Sequence, residues 1–232
     1  MRIGIMQPYF FPYIGYWQLI NAVDRFVIYD DVNFINRGWI NRNRILINGE
    51  PGFIRLHLST SSQNKLINET LVINDLSQNK KLLRTVSENY RRAPFFNNAF
   101  SIIEDIIMQE ELNLAKYLEF SIRQICEYLQ ITTELIVSSD IIKDDSMKGQ
   151  EKIISICNLL KADVYINAIG GKELYTPESF RKKRVNLRFL KTGETKYSQY
   201  NDVFVPCLSI IDVIMHNSVD EVRKMLLDYS LC

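Results

Sequence analysis

The sequence predicts an α/β fold: a mostly parallel sheet of Rossmann-like or nucleotidyltransferase-like topology, with a β-hairpin and a helical insertion. Three observations predict it. The N-terminus reads strand, helix, strand within about 30 residues, a β-α-β unit that implies parallel strands and a right-handed crossover. The last third of the chain returns to the same alternation. Between them, residues 77–130 carry helical periodicity.

In chain order, Arg2-Ile3-Gly4-Ile5-Met6 is a buried strand. A helix starts near Pro12, where proline suits the first turn, and runs to Asn21 on a stripe of Tyr13, Tyr16, Trp17 and Ile20. Residues 25–29 form a second strand that ends in Asp30-Asp31, and a polar loop follows over 32–44. Ile45 to Leu58 reads as a hairpin turned at Asn48-Gly49. Helices are expected over 77–91, 96–110 and 112–129, the first ended by Pro94, and Glu134 to Val137 is a short strand. Then come a helix over 148–160, a strand over 163–167, a loop over 168–175, a short helix from Pro177 and a strand over 185–190. Helices at Leu208–Met215 and Val219–Tyr229 close the chain. With no repeat or linker, one α/β domain is expected over 1–232.

The chain has 232 residues, 47% hydrophobic and 24% charged, with a formal net charge of +1. That balance argues against a dedicated nucleic-acid binder, so no stable nucleic-acid complex is expected, although a local basic patch is not excluded. Of the four cysteines, Cys126 and Cys157 lie on apolar helical stripes, and no two are spaced as a metal or redox pair. The pattern suits a reducing cytoplasm, and a cytoplasmic location is expected. No secretory leader is visible. Ile3 to Val23 runs 21 residues without a charge, but Pro8, Pro12, Gly15, Gln7, Gln18 and Asn21 interrupt it, so no membrane span is expected. With only two histidines, no metal site and no cofactor are predicted.

Ligands of open parallel sheets bind beyond the carboxyl ends of the strands. Three segments should meet there: the loop after the first strand (7–16), the end of the second strand with its loop (30–44), and the loop after the later strand (167–175). The first, QPYFFPYIGY, supplies Gln7, Tyr9 and Phe11 on a turn stiffened by two prolines. The second, DDVNFINRGWINRNRI, holds Asn33, Arg37, Trp39, Asn41, Arg42, Asn43 and Arg44. Arginine forks match phosphate oxygens, asparagine amides suit sugar hydroxyls, and an indole stacks on a ring. The bland alternative is a solvated loop pinned by arginine–aspartate pairs. Asp30 and Asp31 are candidate general bases, or equally caps or partners of Arg37. His57 shares a hairpin face with Phe53 and Arg55, away from Ile54 and Leu56, and is a further catalytic candidate or an idle surface histidine. His216, at a helix C-terminus, reads as structural. Gly170-Gly171-Lys172 and Tyr175 follow a strand and suit close approach of an anion, but there is no P-loop.

The stretch from Gln7 to Ile45, with residues 160–171 and YSQYNDVFVPCLSIIDVIMHN (197–217), resembles the WbqC-like family over essentially the whole chain. The family pattern falls on Gln7, Pro8, Pro12, Gly15, Asp24, Asp31, Arg37, Asn41 and Arg42, and on Gly170, Tyr175, Gln199, Pro206 and Asp212. The resemblance implies a role in O-antigen or other surface-polysaccharide biosynthesis, through transfer of a glycyl or other acyl unit to an amino sugar. The QPxxxPxxGY turn is also similar to the start of HIGH-type nucleotidylyltransferases, but Gln7 and Tyr9 stand where their histidines would be.

The expected function is therefore an acyl or aminoacyl transferase acting on a nucleotide-linked amino sugar. Arg37, Arg42 and Arg44 would hold the diphosphate, Tyr9, Phe11 and Trp39 would stack, and Gln7, Asn41 and Asn43 would bind hydroxyls. Asp31, Asp30 or His57 would take the proton, and the donor, of unknown type, must arrive already activated. The alternatives are a nucleotidyl or phosphoryl transferase and a non-catalytic nucleotide-sugar-binding module. A homodimer is an allowed assembly.

Overall fold

The computed structural model describes residues 1–59, 62–144, 146–200 and 203–232. The N-terminal unit is β1 (Arg2–Met6), α1 (Ile14–Asn21) and β2 (Arg25–Ile28), with β1 and β2 parallel and Ile5 opposite Val27. A separate antiparallel hairpin follows, β3 (Arg42–Ile47) and β4 (Glu50–Arg55), turned at Asn48-Gly49 with both residues at positive φ. The helical insertion comprises α2 (Leu76–Tyr90), α3 (Phe96–Met108) and α4 (Leu114–Tyr128). The chain then re-enters the sheet through β5 (Glu134–Val137), α5 (Gly149–Leu159), β6 (Val164–Ala168), α6 (Pro177–Lys182) and β7 (Asn186–Thr192). It closes with α7 (Ile210–His216), α8 (Val219–Met225) and β8 (Tyr229–Leu231).

The sheet order is β5-β2-β1-β6-β7-β8, and only β8 is antiparallel. Counting the parallel strands in chain order, this is the 3-2-1-4-5 arrangement of a doubly wound sheet, whose direction of winding reverses between β1 and β6. The two faces sort by alternation along the strands. Ile3, Ile5, Val27 and Tyr165 pack under α5 and α6 with Ile153, Ile156, Cys157 and Phe180. Phe26, Ile28, Ile166 and Leu190 face α1, α7 and the helical insertion, where Trp17, Ile103, Leu118 and Ile214 are fully buried. Cys126 and Cys157 belong to these cores, and burial pushes each thiol up to about 12. Among the described residues no helix is long and apolar enough to cross a membrane; the uncharged Ile3–Val23 stretch is β1, a loop and an eight-residue helix.

Three local expectations are corrected. The hairpin begins at Arg42, not Ile45, because Asn43 turns inward and spends its amide on the loop after β1. Residues 169–174 form a 3-10 turn rather than a loop without structure. Helix α8 stops at Met225, and residues 229–231 form a strand. The tail is drawn onto β7 because the Asp228 carbonyl accepts from Gly193 N–H and from Gln18 Nε2, while its carboxylate takes the Thr195 hydroxyl.

Candidate functional site

The loop after β1 is held shut by its own carbonyls. Gln7 O accepts the Tyr16 hydroxyl (3.1 Å), Phe10 O and Phe11 O accept Asn43 Nδ2 (3.1 and 2.9 Å), and Phe11 O also accepts Ser209 Oγ (2.7 Å). Pro12 O accepts Trp17 Nε1 at 3.0 Å and Ile210 N–H at 2.9 Å. Phe10 N–H donates to Trp39 O and Ser209 N–H to Arg44 O. Three distant segments are thereby laced together: the β1 loop, residues 39–44 and residues 207–210. Non-glycine residues adopt the left-handed region in each of these neighbourhoods, at Phe11 (φ 44°), Arg37 (60°) and Cys207 (56°). Such conformations cost about 1–3 kcal/mol apiece and concentrate at ligand sites.

A cleft of about 240 Å³ opens at this junction, lined by Tyr9, Pro12, Tyr13, Trp39, Asn43, Arg44 and Cys207. Tyr13 and Cys207 also wall a second cavity of about 330 Å³, closed by Thr192, Lys196, Tyr197, Phe204 and Leu208. Together they fall within the size range of small-molecule sites, typically about 300–1,000 Å³. Burial pushes the Tyr9 and Tyr13 phenols up, so both keep their protons through the neutral range. The Arg44 guanidinium lies 5.8 Å from the centre of the half-exposed Trp39 ring. Behind Trp39, Phe53 stacks at 6.4 Å, with Arg42 at 4.6 Å and Arg55 at 5.8 Å from the Phe53 ring. An open pocket of about 310 Å³ lies among Phe34, Asn36, Arg37, Asn41, Arg42 and Arg55. Among the described residues, no carboxylate oxygen lies within 4.0 Å of the charged nitrogens of Arg37, Arg42, Arg44 or Arg55. A larger groove of about 600 Å³ runs between α5 and α6, but none of its lining residues comes from the three strand-end loops.

The structure divides the residues singled out in the sequence. Tyr9, Trp39, Asn43 and Arg44 share the first cleft, and Arg37, Asn41 and Arg42 share the arginine pocket. Gln7 is half-buried at the mouth of β1, and Asn33 is exposed, bridging to Leu66. Phe11 has no accessible face: it is fully buried against Phe10. His57 is exposed beyond β4, where its carbonyl takes Ile73 N–H, on the solvent side of the hairpin. Asp30 is buried and accepts Ser139 N–H (2.9 Å) and Ser139 Oγ (2.7 Å). Gly170, Gly171 and Lys172 lie on the 3-10 turn after β6, and no hydrogen bond or ion pair joins Lys172 to the arginine loop. Tyr175 packs against Tyr165 and Phe180 in the core under α6.

Asp31 has partners that the sequence reading did not find. Its Oδ2 lies 2.7 Å from Lys143 Nζ and 3.0 Å from Lys152 Nζ, and all three side chains are nearly buried. Burial raises the Asp31 pKa, but contacts from Lys143, Ser138 and Lys152 outweigh it and hold the carboxyl below its usual range. A carboxylate so held is a weak proton acceptor. The legible signal was Lys152, a lone cation among Ile153, Ile156 and Cys157 on the buried face of α5. Arg55 and Phe53 were legible only as the polar face of a hairpin.

In architecture this is a doubly wound α/β protein, in which the loop after β1, residues 39–44 and Cys207 build a cleft of arginine, aromatic and amide groups. The particular family follows from comparison: the chain belongs to the WbqC-like protein family, whose pattern matches residues 7–224. It is 28% identical over 218 residues to the uncharacterized protein Rv1507c of Mycobacterium tuberculosis, covering 93% of each chain. No solved structure matches it.

Proposed function

We propose that the protein binds a nucleotide-linked amino sugar in the Tyr9–Trp39–Arg44 cleft and transfers an acyl or aminoacyl unit to its amino group, within surface-polysaccharide biosynthesis. The observation that carries this reading is Arg44 beside the half-exposed Trp39, with no carboxylate partner among the described residues: one charged fork and one ring face, side by side, suit a diphosphate next to a sugar or base. Tyr9 and Tyr13 donate to sugar hydroxyls. The attacking amine must be neutral. Among the described residues no aspartate, glutamate or histidine lines this cleft, but the guanidiniums nearby depress the pKa of a bound amine and favour its neutral form. The transfer forms the amide C–N bond, breaks the bond from the acyl carbon to the donor's leaving group, and passes the amine proton to that group. The same lining also supports a second reading, a module that binds the nucleotide sugar without turnover.

Isothermal titration against a panel of nucleotide-linked sugars tests the binding, and mass spectrometry of a nucleotide amino sugar incubated with acyl thioester, acyl adenylate and aminoacyl-RNA donors tests the transfer. Saturable binding that Arg44→Ala weakens at least tenfold is expected. Binding without an acylated product from any donor would leave the non-catalytic reading, and no binding across the panel overturns both.

A further inference from the structure

Arg44 is accounted for by a sugar diphosphate; three guanidiniums are not. Across the hairpin, Arg42 is paired with Arg55 and Arg44 with Phe53. Directly opposed residues share a face, as do residues two apart on one strand, so the half-buried Arg42 and Arg44 and the exposed Phe53 and Arg55 form one face of the hairpin. Placing two arginines directly opposite each other is unfavourable by itself, and no carboxylate among the described residues relieves it. Arg37 joins them in a left-handed backbone conformation, its carbonyl accepting the Arg42 guanidinium. Two stacked rings, Phe53 and Trp39, 44% and 41% exposed, run through the middle of this charge. A diphosphate esterified at both ends carries two negative charges, and the surface presents four positive ones. The excess calls for more phosphates, and the rings call for bases.

From this we infer that a single-stranded RNA end docks on the β3–β4 hairpin, its phosphates on Arg37, Arg42 and Arg55 and a base on Phe53. Alternating rings and cations are how proteins hold unpaired strands, and the exposed Asn36 amide is placed for a ribose 2′-hydroxyl. The inference rests on the acyl-transfer reading for its purpose, not for its contacts: an RNA end can carry an aminoacyl ester, which is an activated donor. The sugar amine attacks the ester carbonyl, the amide C–N bond forms, the ester C–O bond breaks, and the ribose oxygen leaves with the proton the amine gives up.

Fluorescence anisotropy with a labelled eight-nucleotide single-stranded RNA, across a salt series, tests it. Three phosphate contacts predict a slope of log K against log salt of about −2, falling to about −1.4 in Arg55→Ala, with affinity about tenfold weaker. Arg223→Ala, on the distant helix α8 and bonded to Gln130, is the control that leaves the slope unchanged. The Arg55 side chain makes no hydrogen bond among the described residues, and thermal melting verifies that its variant folds. No RNA binding, RNA binding indifferent to Arg55→Ala, or binding to anionic vesicles in place of RNA each overturns the inference. RNA binding without nucleotide-sugar binding keeps it and removes the acceptor reading, whereas the reverse removes this inference alone.

Discussion

Lys152 reaches Asp31 twice: its Nζ lies 2.8 Å from the Asp31 carbonyl oxygen and 3.0 Å from the Asp31 carboxylate. Lys143 completes the knot, donating also to the carbonyls of Ser138 and Ile141. The knot ties α5 and the turn after β5 to the end of β2, beside the Tyr29 ring, whose centre is 5.4 Å from Lys152 Nζ. Removing the carboxylate leaves two buried ammonium groups without a counter-charge, a change that typically costs about 3–5 kcal/mol. Asp31→Asn is therefore expected to lower stability by about 3 kcal/mol in urea unfolding. A variant that unfolds like the wild type but has lost turnover would return Asp31 to the role of general base.

The same contacts set an acid limit. Because the folded-state pKa of Asp31 is lowered, its stabilising contribution is fully present above the ordinary aspartate value of 3.8 and is lost as pH falls through the lower, folded value. Chemical unfolding between about pH 5 and pH 2 should show wild-type stability falling more steeply than that of Asp31→Asn. Parallel curves would mean that Asp31 is not held ionised by the two lysines.

Trp39 gives the cleft a built-in reporter. The chain has two tryptophans; Trp17 is fully buried, and Trp39 is 41% exposed. Acrylamide should quench one component of the emission, and Trp39→Phe should abolish that component. A saturating nucleotide-linked sugar should protect it if a ring stacks on the indole, and Trp39→Ala should cost about 1–3 kcal/mol of binding, a factor of about 5 to 150. Unchanged quenching at saturation places the ligand elsewhere.

How far the sequence carried the fold and the site follows from which signals are local. The β-α-β start, the hairpin turn and the helical insertion rest on periodicity and turn chemistry, and each stands in the structure. The sheet order makes β2, β1 and β6 neighbours, but the cleft and the arginine pocket draw on the segments that follow β1 and β2, and no residue of 167–175 lines either of them. Side-chain direction was not legible. Phe11 looked like a stacking wall because it sits in a loop, yet a left-handed backbone turns it fully into the core. The lysines on Asp31 lie more than a hundred positions away along the chain, and no local pattern links them to it. The basic hairpin face was hidden by a net charge of +1, because compensating acids are spread over the remainder of the chain. Strand β8 was missed because three residues held by contacts to β7, Gly193 and Gln18 carry almost no strand signal of their own.

Gly15 provides a steric test of the cleft wall. A Cβ at this position would meet the Tyr13 ring at 2.4 Å and Thr192 Oγ1 at 2.5 Å, so one of them must move. Tyr13 walls both cavities, and Thr192 belongs to β7. Gly15→Ala should lower stability by about 1–3 kcal/mol, as overpacking does, and should weaken nucleotide-sugar binding as well. A variant as stable and as tightly binding as the wild type would show that Tyr13 yields without consequence.

The wall of the second cavity depends on a buried network around Asp212. Its Oδ1 accepts the Tyr90 hydroxyl (2.7 Å), and its Oδ2 accepts the Tyr197 hydroxyl (2.6 Å) and Gln199 Nε2 (2.8 Å). Gln199 in turn bonds both backbone groups of Val205, which fixes the segment that carries Phe204, Pro206 and Cys207 into the cavity. Burial, reinforced by the Asp212 charge, pushes the Tyr90 and Tyr197 phenols up, so both remain donors throughout the neutral range. Hydrogen bonds to a charged group contribute about 1.5–3 kcal/mol, and Tyr197→Phe should lose an amount of that order. Tyr90→Phe should lose more, because the Tyr90 hydroxyl also accepts the buried Leu46 N–H at 2.9 Å, which would be orphaned. Urea unfolding of the two variants decides the order. Limited proteolysis should cut Tyr197→Phe between residues 197 and 207 before any other site, because Tyr197 ties that segment to α7, whereas Tyr90→Phe leaves the Tyr197 and Gln199 bonds in place and should resist cleavage there.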